Sequence, residues 1–68
     1  MLSARNQFEG VIKSVTLGDV MAEVVVTVGG GLEIVSAITR TSAESLGLKV
    51  GDKVRAVIKS TEVLIDKQ

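Results

Sequence analysis

The chain has 68 residues, eight Lys/Arg balanced by eight Asp/Glu, no cysteine, no histidine and a single aromatic residue, Phe8. That length holds one small domain, residues 1–68, and the composition removes disulfides, a Cys/His zinc site, the commonest general base and the strongest nucleophile. Zero net charge argues against broad attraction to nucleic acid or anionic lipid, and so small a domain buries so little surface that association with other copies is the expected route to stability.

Taken in chain order, the donor-rich run Ser3-Ala4-Arg5-Asn6-Gln7 precedes the first apolar segment. Phe8–Thr16 then reads as a first strand and Val20–Val28 as a second, joined by Leu17-Gly18-Asp19. Gly29-Gly30-Gly31 turns the chain into a third strand, Leu32–Arg40. This glycine run lacks the Gly-Lys-Ser/Thr ending and the following helix of a phosphate loop, so a hairpin turn is its expected role. Thr41 and Glu44 stand at capping-box spacing, which predicts Thr41 as the N-cap of one helical turn over Ala43–Leu46, with Gly47 at C′. Lys53–Lys59 and Thr61–Asp66 follow as a last tight pair of strands turning at Ser60. Three strands, a short helix and two strands make an all-β fold with one short helix, a small five-stranded OB-like Greek-key barrel.

Alternation along the strands sorts the apolar residues into two sets. One face collects Val20, Ala22, Val24, Val26 and Val28, then Leu32, Ile34 and Ile38, then Val54, Ala56 and Ile58, then Val63 and Ile65. These residues suffice to fill a small barrel. The opposite face carries Val11, Val15, Met21, Val25, Val35, Val57 and Leu64, which a monomer would leave as a large apolar patch. The pattern therefore asks for protein on both sides of the sheet.

The chemistry on offer is narrow. Glu9, Asp19, Glu23, Glu33, Glu44, Asp52, Glu62 and Asp66 are scattered along strands and turns, where carboxylates ordinarily serve as solvated groups and turn formers, and no acidic cluster suggests a hard-cation site. Catalysis is not expected, and no metal or catalytic cofactor is called for. An OB-like barrel that binds single strands stacks bases on several aromatics in a basic groove; Phe8 alone, at the head of a strand, reads as core. No run reaches membrane-spanning length and no signal-peptide pattern opens the chain, so a cytoplasmic protein is expected. What remains is a set of donors: Ser3 and Arg5 before the first strand, Thr39, Thr41 and Ser42 around the helix start, and Lys59, Ser60 and Thr61 at the final turn. Charge from Arg and Lys, directional hydroxyls and free helix N–H groups suit a small oxyanion. Each residue has a plain structural role as well: Thr41 as a cap, Ser60 as a turn former, Asn6 and Gln7 as props for their own backbone. Lys13 and Arg40 read as solvated charges, and Glu44 would compete with an anion at the helix start.

The segments SARNQFEGVIKSV and SAITRTSAESLGLKVGDKVRAVIKSTEVLI closely resemble the molbindin family (Mop, TOBE-type domains) over nearly the whole chain. Its most specific pieces are Ser3–Gln7, Ala37–Leu48, Val50–Val54 and Lys59–Thr61. The resemblance implies an OB-like barrel that binds molybdate, and often tungstate, in the cytoplasm for storage or homeostasis. It implies a homo-oligomer, a hexamer built as a trimer of dimers, with oxyanions at subunit interfaces and a second kind of site near the threefold axis. Matched motif to motif, Ser3, Arg5, Lys59 and Ser60 would come from one chain, and Thr39 and Ser42, with backbone N–H groups around Ala43, from its neighbour. Related domains occur in molybdate-transporter ATPases and molybdate-responsive regulators, so the alternative reading is a non-enzymatic interaction or regulatory module. Regulators carry the unit twice, usually behind a DNA-binding segment; the single copy here favours storage.

Overall fold

The computed structural model describes residues 4–67. Four strands form one curled antiparallel sheet: β1 (Asn6–Leu17), β2 (Met21–Val28), β3 (Glu33–Thr39) and β4 (Lys53–Ile58), in the order β3-β2-β1-β4. One helix, α1 (Arg40–Leu46), follows β3. Ser60–Glu62 form a single 3-10 turn, and Gly29–Gly31 form a tight turn in which Gly30 and Gly31 take positive φ of 77° and 74°.

The long β1 explains the curl. Its first half pairs with β4, from Asn6↔Ile58 to Val11↔Lys53, and its second half pairs with β2, from Gly10↔Val28 to Leu17↔Ala22. Gly10 belongs to both ladders, and a Cβ there would collide with the Thr27 carbonyl oxygen and the Val26 side chain. Only glycine allows the two ladders to fold over each other at that point.

A β-bulge at Lys13 sets which residues face inward. The β1–β2 register runs Ile12↔Val26 and then Ser14↔Val25, leaving Lys13 without a partner across the ladder. The bulge is braced from outside, because the Ile12 N–H donates to the Asp52 carbonyl (3.0 Å) and the Gly51 N–H donates to the Ile12 carbonyl (2.9 Å). Beyond it the alternation changes phase, so Val15 packs against the core of Ile12, Val24 and Val26 instead of facing out as period-2 reading expects.

Three other expectations are corrected. The helix begins earlier: Thr39, not Thr41, is the N-cap, its side-chain oxygen accepting from the Ser42 N–H at 3.1 Å. The box with Glu44 is not formed; its carboxylate lies 3.5 Å from Nε of Arg40 one turn back. Gly47 does hold the left-handed C-terminal position, with φ 62°. Secondly, Val20 and Leu32 at the strand ends and Phe8 on β1 are exposed, not interior. Thirdly, the fifth strand is absent. Ser60–Glu62 coil into a 3-10 turn, with the Glu62 N–H on the Lys59 carbonyl at 2.9 Å, and the chain beyond it does not return to β4. Leu64 and Ile65 are 91% and 89% exposed.

Without a fifth strand among the described residues, the curled sheet stays open between its edges. An apolar cleft of about 520 Å³ runs between β3 and β4, floored by Ile12, Val24 and Val26 and walled by Ile34, Ile38, Val54 and Ile58. The whole chain exposes 5566 Å², whereas a folded monomer of 7.1 kDa exposes about 4100 Å² on the usual scaling.

Candidate functional site

The donors predicted from the sequence fall into two groups at opposite ends of β1. Arg5 and Lys59 lie immediately beyond the Asn6↔Ile58 rung that ends the β1–β4 ladder, and Ser60 opens the 3-10 turn that follows. Ser3 belongs to the same stretch by sequence but lies outside the described residues. Thr39, Ser42 and Ala43 lie at the β3–α1 junction, where the Met21↔Thr39 rung closes the far end of the β2–β3 ladder beside Leu17 of β1. Most of a 12-residue strand separates the groups.

The first group is cationic and its backbone is fastened down. Asn6 Nδ2 donates to the Ile58 carbonyl (3.3 Å), which ties the entry of β1 to the exit of β4. Gln7 Nε2 donates back to the Ala4 carbonyl (2.6 Å), and Gln7 Oε1 accepts from the Arg55 guanidinium (3.1 Å). Among the described residues the ion pairs are Lys13–Glu33 and Arg40–Glu44. Neither Arg5 nor Lys59 is engaged in one, so both keep their charge for an external anion. Lys13 and Arg40, by contrast, are not simply solvated: Lys13 bonds the Glu33 carboxylate, and Arg40 reaches both Glu44 and the Gly18 carbonyl (3.2 Å).

The second group is neutral, and its hydroxyls form a polarised chain. The Thr39 hydroxyl accepts from the Ser42 N–H and donates its own proton to Ser42 Oγ at 2.7 Å. Its one proton is spent within the cap. Ser42 Oγ, having accepted, retains its proton for an outside acceptor. With Thr39 as N-cap, the first-turn amides are those of Arg40, Thr41 and Ser42; Arg40 donates to the Val20 carbonyl (2.8 Å) and Ser42 to Thr39. That leaves the Thr41 amide, while the Ala43 amide is the first with an acceptor inside the helix, and the Ala43 side chain is buried. Glu44, drawn to Arg40, does not compete at the helix start.

The first group offers charged donors and the second hydroxyl and amide donors, and neither includes a carboxylate. A tetrahedral oxyanion is satisfied by donors of both kinds on several sides. Sequence reading named these candidates but not two contacts beside them, the Arg55–Gln7 bond and the Thr39 cap. Both arise from pairings that only the fold creates. Among the described residues no cluster of three or more acidic groups could hold a metal ion, and no helix is long and apolar enough to cross a membrane.

Comparison with known proteins agrees over the full length. The model of the TOBE domain family matches residues 2–65. Molybdenum-pterin-binding protein 3 of Clostridium pasteurianum is 48% identical over 64 residues, covering 94% of each chain. The solved structure of MopII from the same organism, in an apo form, superposes with a TM-score of 0.93 at 45% identity, covering 98% of this chain and 100% of that one. A molybdate-binding protein from Sporomusa ovata superposes with a TM-score of 0.92 at 42% identity, covering 98% of both chains.

Proposed function

The chain belongs to the TOBE domain family, and from that premise we propose that it is a molybdate-binding protein that holds the oxyanion between subunits of a homo-oligomer. Its relatives are named as binding proteins, not enzymes. The observation that carries the reading is the division of the donors. In this reading Arg5, Lys59 and Ser60 at one end of β1, with Ser3 next to them in the sequence, meet the Ser42 hydroxyl and the free Thr41 amide of a neighbouring chain. There Thr39 and the buried Ala43 hold the helix start in shape.

Two features support assembly. The exposed area exceeds that of an ordinary monomer by about 1500 Å², the scale of a substantial interface. The chain also carries an extended apolar end, Val63–Ile65, and an open apolar cleft between β3 and β4 that its own end does not fill. The fifth strand is then made between chains, with Leu64 and Ile65 of one copy seated in the cleft of the next. Closed assembly of such exchanged pairs is consistent with a hexamer, a trimer of dimers, and the role is storage or homeostasis of the oxyanion in the cytoplasm.

Selectivity follows from the donor-rich lining. Molybdate at neutral pH is a fully deprotonated dianion and accepts from every donor. Hydrogen phosphate brings a proton for which the site offers no carboxylate, only the weaker hydroxyl lone pairs, a mismatch of at most about 1–3 kcal/mol. Tungstate, nearly the same size, binds alike; sulfate is excluded by size alone. Calorimetry at micromolar protein tests this directly: molybdate and tungstate release heat with similar affinity and phosphate does not, whereas absence of heat with molybdate overturns the proposal. A regulatory module without a ligand has no use for Arg5 and Lys59 together, and the same titration separates the two readings.

A further inference from the structure

Arg55 lies on β4 directly across the ladder from Glu9, the place where a cross-strand ion pair would ordinarily form. It does not take that partner. Its guanidinium instead reaches diagonally to Gln7 Oε1 at 3.1 Å. This choice has a consequence for the amide it touches. A carboxamide has one accepting end and one donating end; with Oε1 held by a cation that can only donate, Nε2 must turn the other way. There it meets the Ala4 carbonyl at 2.6 Å. The chain Arg55 to Gln7 to Ala4 therefore runs from the outer face of β4 to the peptide group that joins Ala4 to Arg5. Neither Gln7 nor Arg55 is needed to close the β1–β4 ladder, which rests on backbone pairing, and both are exposed. Their bonds thus contribute little to folding and act on the segment that carries Arg5.

We propose that Gln7 and Arg55 are positioning residues for anion binding: the Arg55–Gln7–Ala4 relay fixes the segment that carries Arg5, so that its guanidinium meets the oxyanion already in place. The inference rests on the reading of Arg5 as an anion ligand. Without the relay the Arg5 segment must be ordered at the moment of binding, and that entropy is subtracted from the affinity.

Five variants test the relay in the full chain, with sodium molybdate as the probe in calorimetry and with oligomer mass and melting temperature measured alongside. Gln7→Glu keeps an acceptor for Arg55 but presents an oxygen, not an N–H, to the Ala4 carbonyl. It is expected to weaken molybdate binding about tenfold, the equivalent of one lost hydrogen bond, with mass and melting temperature unchanged. Arg55→Met is expected to weaken binding about threefold, because the amide is then free to turn, and Arg55→Lys to restore it by supplying a donor again. Gln7→Met combined with Arg55→Met should be no weaker than Gln7→Met alone, since both act through one chain of bonds. Trypsin cleavage after Arg5 should quicken in Gln7→Glu and Arg55→Met and not in Arg55→Lys. Wild-type protein that binds molybdate while Gln7→Glu binds within twofold of it overturns the relay alone. So does a loss of affinity that Arg55→Lys fails to rescue, or one accompanied by loss of the oligomer. Wild-type protein that takes up no molybdate overturns the proposed function, and the relay with it.

Discussion

The two ends of β1 solve the same problem with different materials. At the β4 end the donors are charged, carried by Arg5 and Lys59, and their backbone is fastened by Asn6 and Gln7. At the α1 end the donors are neutral hydroxyls, and their order comes from a helix cap in which Thr39 bonds Ser42 twice. On the proposed reading a dianion gains most of its binding energy from the charged end and its orientation from the hydroxyl end. The same reading has neither end trapping an anion alone, so that uptake depends on assembly.

The steepest way to break this arrangement is to stop the ends from meeting. Replacing Leu64 and Ile65 by Asp puts two charges where an apolar cleft is to be filled; the oligomer should dissociate to monomers by light scattering, and molybdate binding should disappear with it. Removing the charge without touching the interface comes next. Arg5→Ala should preserve the oligomer while weakening molybdate roughly 100-fold or more, the usual penalty for truncating a charged partner in a closed site. If it dissociates the oligomer and leaves the affinity per site unchanged, Arg5 belongs to the interface and not to the anion. At the hydroxyl end the effect should be smaller. Ser42→Ala removes the proton left for the anion but leaves Thr39 capping the Ser42 N–H, so affinity should fall about tenfold with little change in melting temperature. A larger loss at Ser42 than at Arg5 would reverse the division of labour between the two ends.

The contrast also marks what a sequence can disclose. The candidate donors come from residue type and motif spacing, and the four strands were legible from alternation and glycine punctuation. The phase change at Val15 was not, because the bulge at Lys13 is held by Gly51 and Asp52 from a distant turn. The helix start shifted from Thr41 to Thr39 because either hydroxyl fits a capping position, and only the β2–β3 ladder decides where the strand ends. The fifth strand was misread for a related reason. Thr61–Asp66 has strand character, but propensity does not show whether a pairing partner exists, and Ser60–Glu62 coils into a 3-10 turn instead. That the donors separate into two ends is a property of topology, and no local pattern encodes it.

The sharing of one anion between two chains can be measured by mixing. Arg5→Ala chains and Ser42→Ala chains, each weak alone, are unfolded together in equal amounts, refolded, and titrated with molybdate. If each site takes Arg5 from one subunit and Ser42 from its neighbour, random assembly leaves about a quarter of the sites with both residues intact, and a tight-binding class of that size should appear in the calorimetric isotherm. If both residues serve a site within a single chain, every site in the mixture carries one defect, no tight class appears, and the division of the site between subunits is wrong.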